Sequence, residues 1–288
     1  MRMLITGSNG FVGRNLQAWF AARGYDPQCP KRQELDLLDS AAVETYLKAQ
    51  RFDVVIHCGV TLRSVEENLK MYFNLERCHR QFGRMVCVGS GAEYDLRHYL
   101  PNMRESYFGE QIPADIYGFS KYVIARDIES NPANIHNLRV FGIYGRHEDF
   151  SRRFISNNIC RVLSGLDISL NQNMLFDYLY VDDFAAMLAK FITVTPRFKS
   201  YNACRGEPVE FLTLARIVRD VHGQEVEIRI KESGMRPEYT GDNRRFIDEF
   251  GPVSFTPESE AIEKLYAWYQ EGGNPQFDPE SFRRQQTG

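Results

Sequence analysis

Tyr117 and Lys121 stand four residues apart in DIYGFSKYVIARDIE, Asp115 to Glu129. On a helix, residues at i and i+4 share a face, so an ammonium would lie one turn from the phenol. A nearby cation favours the phenolate over the phenol, which makes Tyr117 a candidate proton donor or acceptor. The same spacing also arises in inconsequential surface pairs, and with 15 tyrosines in the chain it needs company. Two further stretches supply it. TGSNGFVG, Thr6 to Gly13, sits between a short apolar run and a helical pattern. There Gly7 would permit a tight turn, Gly10 would let a pyrophosphate approach the backbone, and Gly13 would allow close packing of helix on strand. Ser8, Asn9, Phe11 and Val12 complete a loop whose free N–H groups face an anion at a helix N-terminus. RMVCVGS ends on Ser90, at the carboxyl end of an apolar run, where open α/β sheets bind ligands; beside two glycines it is also a common turn residue.

These residues need a scaffold that brings them to one edge. MLIT (Met3 to Thr6), DVVIHC (Asp53 to Cys58), RMVCVGS (Arg84 to Ser90) and IHNLRVFG (Ile135 to Gly142) are apolar runs without strict alternation, as expected of strands covered on both faces. Helical patterns separate them at Asn15 to Arg23, Ser40 to Ala49 and Tyr117 to Glu129. This rhythm predicts an α/β fold, a doubly wound parallel sheet with right-handed crossovers. After Arg146 the pattern loosens. Val181 to Ile192 reads as a helix with Asp182 or Asp183 as N-cap, and SYNACRG (Ser200 to Gly206) as a strand running into a turn. FLTLARIVRDVHG reads as a helix closed by Gly223, with VEIRI as a strand after it. The expected organisation is a dinucleotide-binding domain over 1–165 with a returning stretch at about 178–205, and a smaller substrate-binding lobe from 166–177 and 206–288.

A net charge of −3 gives no electrostatic reason to expect nucleic acid or an anionic membrane as partner. Its six cysteines form no C-x-x-C pair, Cys58 and Cys87 fall in apolar runs, and neither a disulfide framework nor a metal-ligand spacing is visible. MRMLITGSNG is too briefly apolar for a signal peptide, and no run is long enough to span a bilayer, so the chain reads as cytoplasmic.

The glycine loop, Ser90 in VGSGAEY and YGFSK with Tyr117 and Lys121, in this order, resemble the short-chain dehydrogenase/reductase superfamily. LRVFGIYG (Leu138 to Gly145) and FDYLYVDDF (Phe176 to Phe184) resemble landmarks of its extended branch, the epimerases, dehydratases and reductases of nucleotide sugars. The resemblance implies a Rossmann fold, a homodimer, a nucleotide-sugar substrate and cell-surface polysaccharide biosynthesis. It also implies that Tyr117 exchanges a proton with the reacting oxygen, that Ser90 hydrogen-bonds the same oxygen, and that Lys121 acts on Tyr117 and on the nicotinamide ribose.

NAD-binding members of such families place an acid after the second strand. CPKRQELDL, Cys29 to Leu37, has Lys31 and Arg32 there, cations that can pair with a 2′-phosphate, or a solvated loop. NADP(H) is therefore the expected cofactor, with NAD(H) as the alternative; Asp36 resembles an adenine contact. RQELDLLD and GRHEDF resemble the 4-keto-6-deoxy sugar reductases. Among them the GDP-fucose synthases epimerise as well, through a cysteine two residues after the serine and a later histidine. Here the cysteine position is Ala92 and the histidine position falls near Ser156, with His147 close by. Dehydratases carry an Asp-Glu pair after the serine or threonine, and this chain has Gly91, Ala92 and Glu93. The expected reaction is simple reduction of a C4 keto group; a 4-epimerase is the alternative, and a non-catalytic dinucleotide-binding module the competing class. Gly91, Ala92, Glu93, Arg152, Arg153 and Arg236 are the candidate substrate contacts, although each arginine alone reads as surface. Gly142 and Phe176 depart from an asparagine and an arginine common in the family.

Overall fold

Strand β1 (Met3–Thr6) is buried along its whole length and turns through the glycine loop into α1 (Phe11–Ala21). Helix α2 (Ser40–Gln50) starts where the Asp39 carboxylate accepts from the Ala41 and Ala42 N–H groups, and β2 (Phe52–His57) follows. Next come α3 (Val65–Glu76), β3 (Phe82–Ser90), α4 (Ile116–Ser130) and β4 (Ile135–Val140). The second half holds β5 (Gly142–Tyr144), α5 (Phe154–Leu163), β6 (Ile168–Leu170), β7 (Leu175–Phe176), β8 (Tyr178–Tyr180), α6 (Val181–Thr193) and β9 (Ser200–Ala203). It ends with β10 (Val209–Glu210), α7 (Phe211–His222), β11 (Ile228–Ile230), α8 (Arg244–Phe250), α9 (Glu258–Gln270) and α10 (Pro279–Thr287). The structure is a computed structural model and describes residues 1–287. Among these residues no helix is long and apolar enough to cross a membrane.

The central sheet has the order β1-β2-β3-β4-β9 and every neighbouring pair is parallel. Register pairs Thr6 with His57 and Ser90 with Val140, so the carboxyl ends of the strands share one edge. Beyond β1 the sheet continues as one bridge, Leu4 to Gln28, held by Ile5 N–H to Gln28 O at 2.9 Å and Gln28 N–H to Met3 O at 2.8 Å. Pro27 and Pro30 bracket Gln28 and lack the N–H a longer strand would need. Because the chain goes from β1 to Gln28 on one side and to β2 on the other, the order reverses at β1. A crevice opens there, above the glycine loop.

Both sheet faces are covered, which is why the strands are apolar throughout. Met3, Ile5, Val54, Ile56 and Leu138 pack under α1 and α6 with Leu16, Phe20, Phe184 and Leu188. The alternate residues Leu4, Val55, Met85 and Ile135 pack under α2, α3 and α4 with Leu47, Tyr72, Leu75 and Ile128. A separate core gathers Ile155, Ile159 and Val162 of α5 with Leu214, Val218, Ile262 and Leu265 of α7 and α9. Helix α5, expected within the dinucleotide-binding part, therefore packs with the C-terminal helices. The start of α6 also differs from expectation. Tyr180 occupies the N-cap position without a side-chain cap, and Asp183 accepts from Thr256 N–H at 2.9 Å and Thr256 Oγ1 at 2.8 Å. Asp182 and Asp183 lie in the first turn, where their charges suit the helix dipole.

The turn between β5 and α5 is anchored by Glu148, which accepts from the Ser156 hydroxyl and is otherwise buried, with Oε2 unpartnered. Burial raises its carboxyl to about 8. An unfolded glutamate titrates near about 4.3, so between those values the folded chain holds a proton the unfolded chain has lost. The stability this gives is complete below the unfolded value and is lost as pH rises towards about 8. Glu148→Gln should therefore flatten the pH dependence, raising the melting temperature over wild type at about pH 8 but not near pH 4. Parallel melting curves for the two proteins across that range would contradict this assignment.

Candidate active site

The glycine loop is shaped by steric need. Gly7 has φ +69°, and a Cβ on it would stand 2.6 Å from the Gly59 nitrogen. A Cβ on Gly13 would meet the Gly7 carbonyl at 2.5 Å, so this glycine lets α1 lie down on the loop. Gly10 is different, since an added Cβ would have only the Gly7 oxygen near it, at 3.3 Å, and would otherwise project into open space. Helix α1 begins at Gly10 with no side-chain cap and no acid in its first turn. Free N–H groups and the positive end of the helix thus face the crevice, and a dinucleotide pyrophosphate fits this cradle.

A cavity of about 1150 Å³ runs from this loop across the carboxyl ends of the strands to the C-terminal half. Ser8, Asn9, Phe11 and Val12 line it together with the three glycines. Arg32 and Asp36 reach it as an exposed pair, Nε to Oδ1 3.6 Å, and Asp36 Oδ1 also accepts the Leu38 N–H. Lys31 does not line the cavity; its exposed loop folds back through its own N–H onto Glu34. Of the two cations, only Arg32 stands at the cavity. His57 shares a hydrogen bond with Thr6 Oγ1 at 2.8 Å, and burial, with the Lys121 charge nearby, lowers its imidazole to about 3. It is a neutral core residue.

Ser90, Tyr117 and Lys121 all line this cavity. Ser90 ends β3 and caps a short 3-10 turn, Gly91–Glu93, with its Oγ accepting the Ala92 N–H at 3.1 Å. Tyr117 lies in the first turn of α4, which is capped by Asp115 through the Gly118 N–H at 2.8 Å. Gly118 brings this turn against the Ser90 turn: a Cβ there would stand 2.7 Å from the Ala92 carbonyl. Below it, Ser120 Oγ donates to the Tyr117 carbonyl and receives Asn68 Nδ2, tying α4 to α3. The Lys121 ammonium is buried and donates to the Val88 carbonyl at 2.6 Å, which leaves two of its three N–H donors.

Glu93 does not face the cavity, contrary to its expected role as a substrate contact. It is 1% exposed, and its carboxylate accepts the Ser90 N–H at 2.9 Å, Asn137 Nδ2 at 2.8 Å and Arg139 Nε at 2.6 Å. Burial raises its carboxyl, while the Arg139 guanidinium and the Ser90 N–H pull it back down. Arg139 is itself fully buried, with Phe108 across its guanidinium at 4.2 Å. Gly91 is likewise outside the lining, pressed beneath the Tyr239 hydroxyl, whereas Ala92 lines the cavity.

At the far end Arg152, Arg153 and Arg236 all border the cavity, the first two just before α5 and the third in an extended segment near β7. An aromatic wall of Phe176, Tyr178, Phe211 and Tyr239 also lines the cavity; of these, sequence reasoning marked only Phe176, as a departure from the family. The two departures noted above are physically coupled. The Phe176 ring occupies the space into which a Gly142 side chain would project, and the Asp177 carbonyl stands 2.5 Å from such a Cβ. Ser156 and His147 do not border the cavity, since Ser156 bonds Glu148 and the His147 ring packs on Trp268.

Fold and glycine loop together define a Rossmann-type dinucleotide-binding protein. Residues 3–204 match the NAD dependent epimerase/dehydratase family, and the chain belongs to it. GDP-L-colitose synthase of Yersinia pseudotuberculosis is 21% identical over 87% of this chain and 92% of its own length. GDP-L-fucose synthase of Azorhizobium caulinodans is 40% identical over a shorter stretch, 24% of this chain and 22% of that protein. Among solved structures, a GDP-L-fucose synthetase from Naegleria fowleri bound to NADP superposes with a TM-score of 0.80 at 17% identity, over 94% of each chain.

Removing the Arg139 guanidinium would leave the Glu93 carboxylate buried without its counter-ion. Arg139→Met is predicted to cost about 3 kcal/mol or more of unfolding free energy in urea, with a smaller cost when Glu93→Gln is added. A loss below about 1 kcal/mol would mean that the pair is not structurally important.

Proposed function

We propose that the protein is an NADP(H)-dependent reductase of a 4-keto nucleotide sugar, a 4-keto-6-deoxy sugar being the preferred class. The observation that carries this reading is that Ser90, Tyr117 and Lys121 line the same cavity as the glycine cradle, with α4 held beside the end of β3 through Gly118 and Lys121. When bound, the reduced dinucleotide supplies the hydride that the carbonyl carbon accepts. Gly7, Gly10, Gly13 and the start of α1 would hold its pyrophosphate, and Arg32 a 2′-phosphate. Ser90 Oγ donates to the carbonyl oxygen as negative charge develops there. Tyr117 gives its phenolic proton to that oxygen, so that ketone, hydride and proton together make the alcohol. Lys121, fixed on Val88, keeps positive charge beside the phenol as it loses its proton. Arg152, Arg153 and Arg236 meet the diphosphate, and the aromatic wall meets the sugar or base.

Ala92, where the GDP-fucose synthases have a cysteine, and the inward-turned Glu93 favour plain reduction over double epimerisation or dehydration. A GDP-mannoheptose C4 reductase from Campylobacter jejuni with NADP bound shares the fold, in keeping with this reading. A UDP-N-acetylglucosamine 4-epimerase from Bacillus cereus has the same fold, which keeps a 4-epimerase as the alternative.

Purified protein should oxidise added NADPH when given a GDP-linked 4-keto-6-deoxy sugar, and should bind NADPH more tightly than NADH. Tyr117→Phe should lower kcat by about 100-fold or more, the size of a lost general acid, with NADPH binding retained. Unchanged turnover in Tyr117→Phe, or isomerisation of the sugar on tightly held NAD without net oxidation, would overturn the reading.

A further inference from the structure

Asn68 of α3 is a buried amide with both of its N–H donors and its oxygen in use. The oxygen accepts the Thr61 N–H at 2.8 Å, and the nitrogen donates to the Thr61 carbonyl at 2.8 Å and to Ser120 Oγ at 2.9 Å. Ser120 has one hydroxyl hydrogen, and it donates this to the Tyr117 carbonyl at 2.8 Å. Because Thr61 presents a main-chain donor and a main-chain acceptor, the amide can face only one way. An aspartate here would turn an acceptor towards the Thr61 carbonyl and have nothing to give Ser120. Thr61 belongs to the loop 58–64 that leaves the carboxyl end of β2, and its neighbours Val60 and Leu62 line the cavity. This loop abuts the glycine cradle: Cys58 N–H donates to the Thr6 carbonyl at 3.1 Å, and a Cβ on Gly7 would stand 2.6 Å from the Gly59 nitrogen. Asn68 and Ser120 lie behind the cavity wall, outside its lining. A continuous path of short contacts thus runs from the cradle through Gly59, Thr61, Asn68 and Ser120 to Tyr117.

We infer that Asn68, acting through Ser120, is a positioning residue for the reaction: it fixes the turn that carries Tyr117 against the loop bordering the dinucleotide cradle, so that proton donor and hydride source are held in one frame. This rests on the reading of Tyr117 as the proton donor and of the glycine loop as the dinucleotide site. Tyr117 stands in the first turn of α4, the part of a helix whose N–H groups lack partners within the helix. Such a turn needs support from outside, and Ser120 supplies it at the Tyr117 carbonyl. Hydride and proton must reach the carbon and the oxygen of one carbonyl, and a misplacement of about 1 Å in such a geometry can cost about 100-fold in rate. The loop 58–64 follows β2 whereas α4 follows β3, so the amide of Asn68 ties together two crossovers that each supply part of the cavity wall.

Two variants cut this path at different points. Ser120→Ala removes the link to Tyr117 and leaves the pairing of Asn68 with Thr61, whereas Asn68→Asp removes both donors and keeps the oxygen that the Thr61 N–H needs; Asn68→Ala replaces it if that protein does not fold. Nuclear magnetic resonance of protein isotope-labelled at the tyrosine Cζ reads the phenol without substrate or cofactor. The Tyr117 signal, identified by its loss in Tyr117→Phe, should shift or split in both variants; a signal at the wild-type position in either overturns the inference. With NADPH and a GDP-linked 4-keto-6-deoxy sugar, kcat should fall about tenfold in each variant, the effect of one lost hydrogen bond. The solvent deuterium isotope effect on kcat should rise, and the dissociation constant for NADPH should stay within about twofold of wild type. The double variant should lose no more than the worse single one, because both cut the same path. A kcat within about twofold of wild type, or an NADPH affinity that falls in step with kcat, overturns the inference. If instead the wild type turns over no such sugar, the functional reading falls, and the Tyr117 signal alone decides the role of Asn68.

Discussion

Two charges buried at the end of β3 set the geometry of the cavity around Ser90. Glu93 and Arg139 would each be costly in the interior alone, because burial strips them of water. Together they are tolerable, since the Arg139 guanidinium, the Asn137 amide and the Ser90 N–H use the carboxylate's oxygens. Arg139 and Asn137 come from β4, whereas Glu93 belongs to the turn after β3, so the contact can form only when the two strands are in register. The turn it fixes carries Ser90 at its start and Ala92 in its middle. Gly118 then lets α4 settle on the Ala92 carbonyl, and Tyr117 comes to the same place.

The parallel sheet contributes the second constraint. With every strand running the same way, the carboxyl ends of β1, β2, β3 and β4 share one edge, and the loops that leave them share one crevice. The reversal of strand order at β1 opens this crevice beside the glycine loop. The C-terminal helices have a core of their own, and their half of the chain brings Phe176, Phe211, Arg236 and Tyr239 to the far side of the cavity. One end of the cavity is thus built for an anion at a helix terminus and the other is aromatic and arginine-rich. Ser90, Tyr117 and Lys121 line the same cavity.

What could be read from the sequence was what is local. The glycine loop, the i, i+4 pair and the apolar strands are each carried by residues close in the chain, and their steric and periodic requirements show in the order of letters. Features that depend on partners far away could not be read in the same way. Glu93 follows Ser90 by three and looked like a cavity residue; its direction is set by Arg139, 46 positions later. Asp183 looked like a helix cap, but Thr256, 73 residues on, takes its carboxylate. Lys31 and Arg32 were inseparable as neighbours, and only the turn of the loop puts Arg32 alone at the cavity. Tyr239 lies in a segment held by isolated bridges, with no periodicity to mark it, and Gly118 declares its purpose only once Ala92 is seen against it. The apolar face of α5 says that it packs, not against what, and only the structure shows it beside α7 and α9.

The most direct test of the account follows a single hydride. Protein given NADPH deuterated at the transferable position of the nicotinamide C4, together with a GDP-linked 4-keto-6-deoxy sugar, should release oxidised cofactor and a sugar carrying one deuterium on its C4, in equal amounts. No deuterium transfer to the keto sugar, together with inversion at C4 of a C4-hydroxy nucleotide sugar without net oxidation of cofactor, would show that hydride is returned within each cycle. That result would contradict the assignment of this site to reduction.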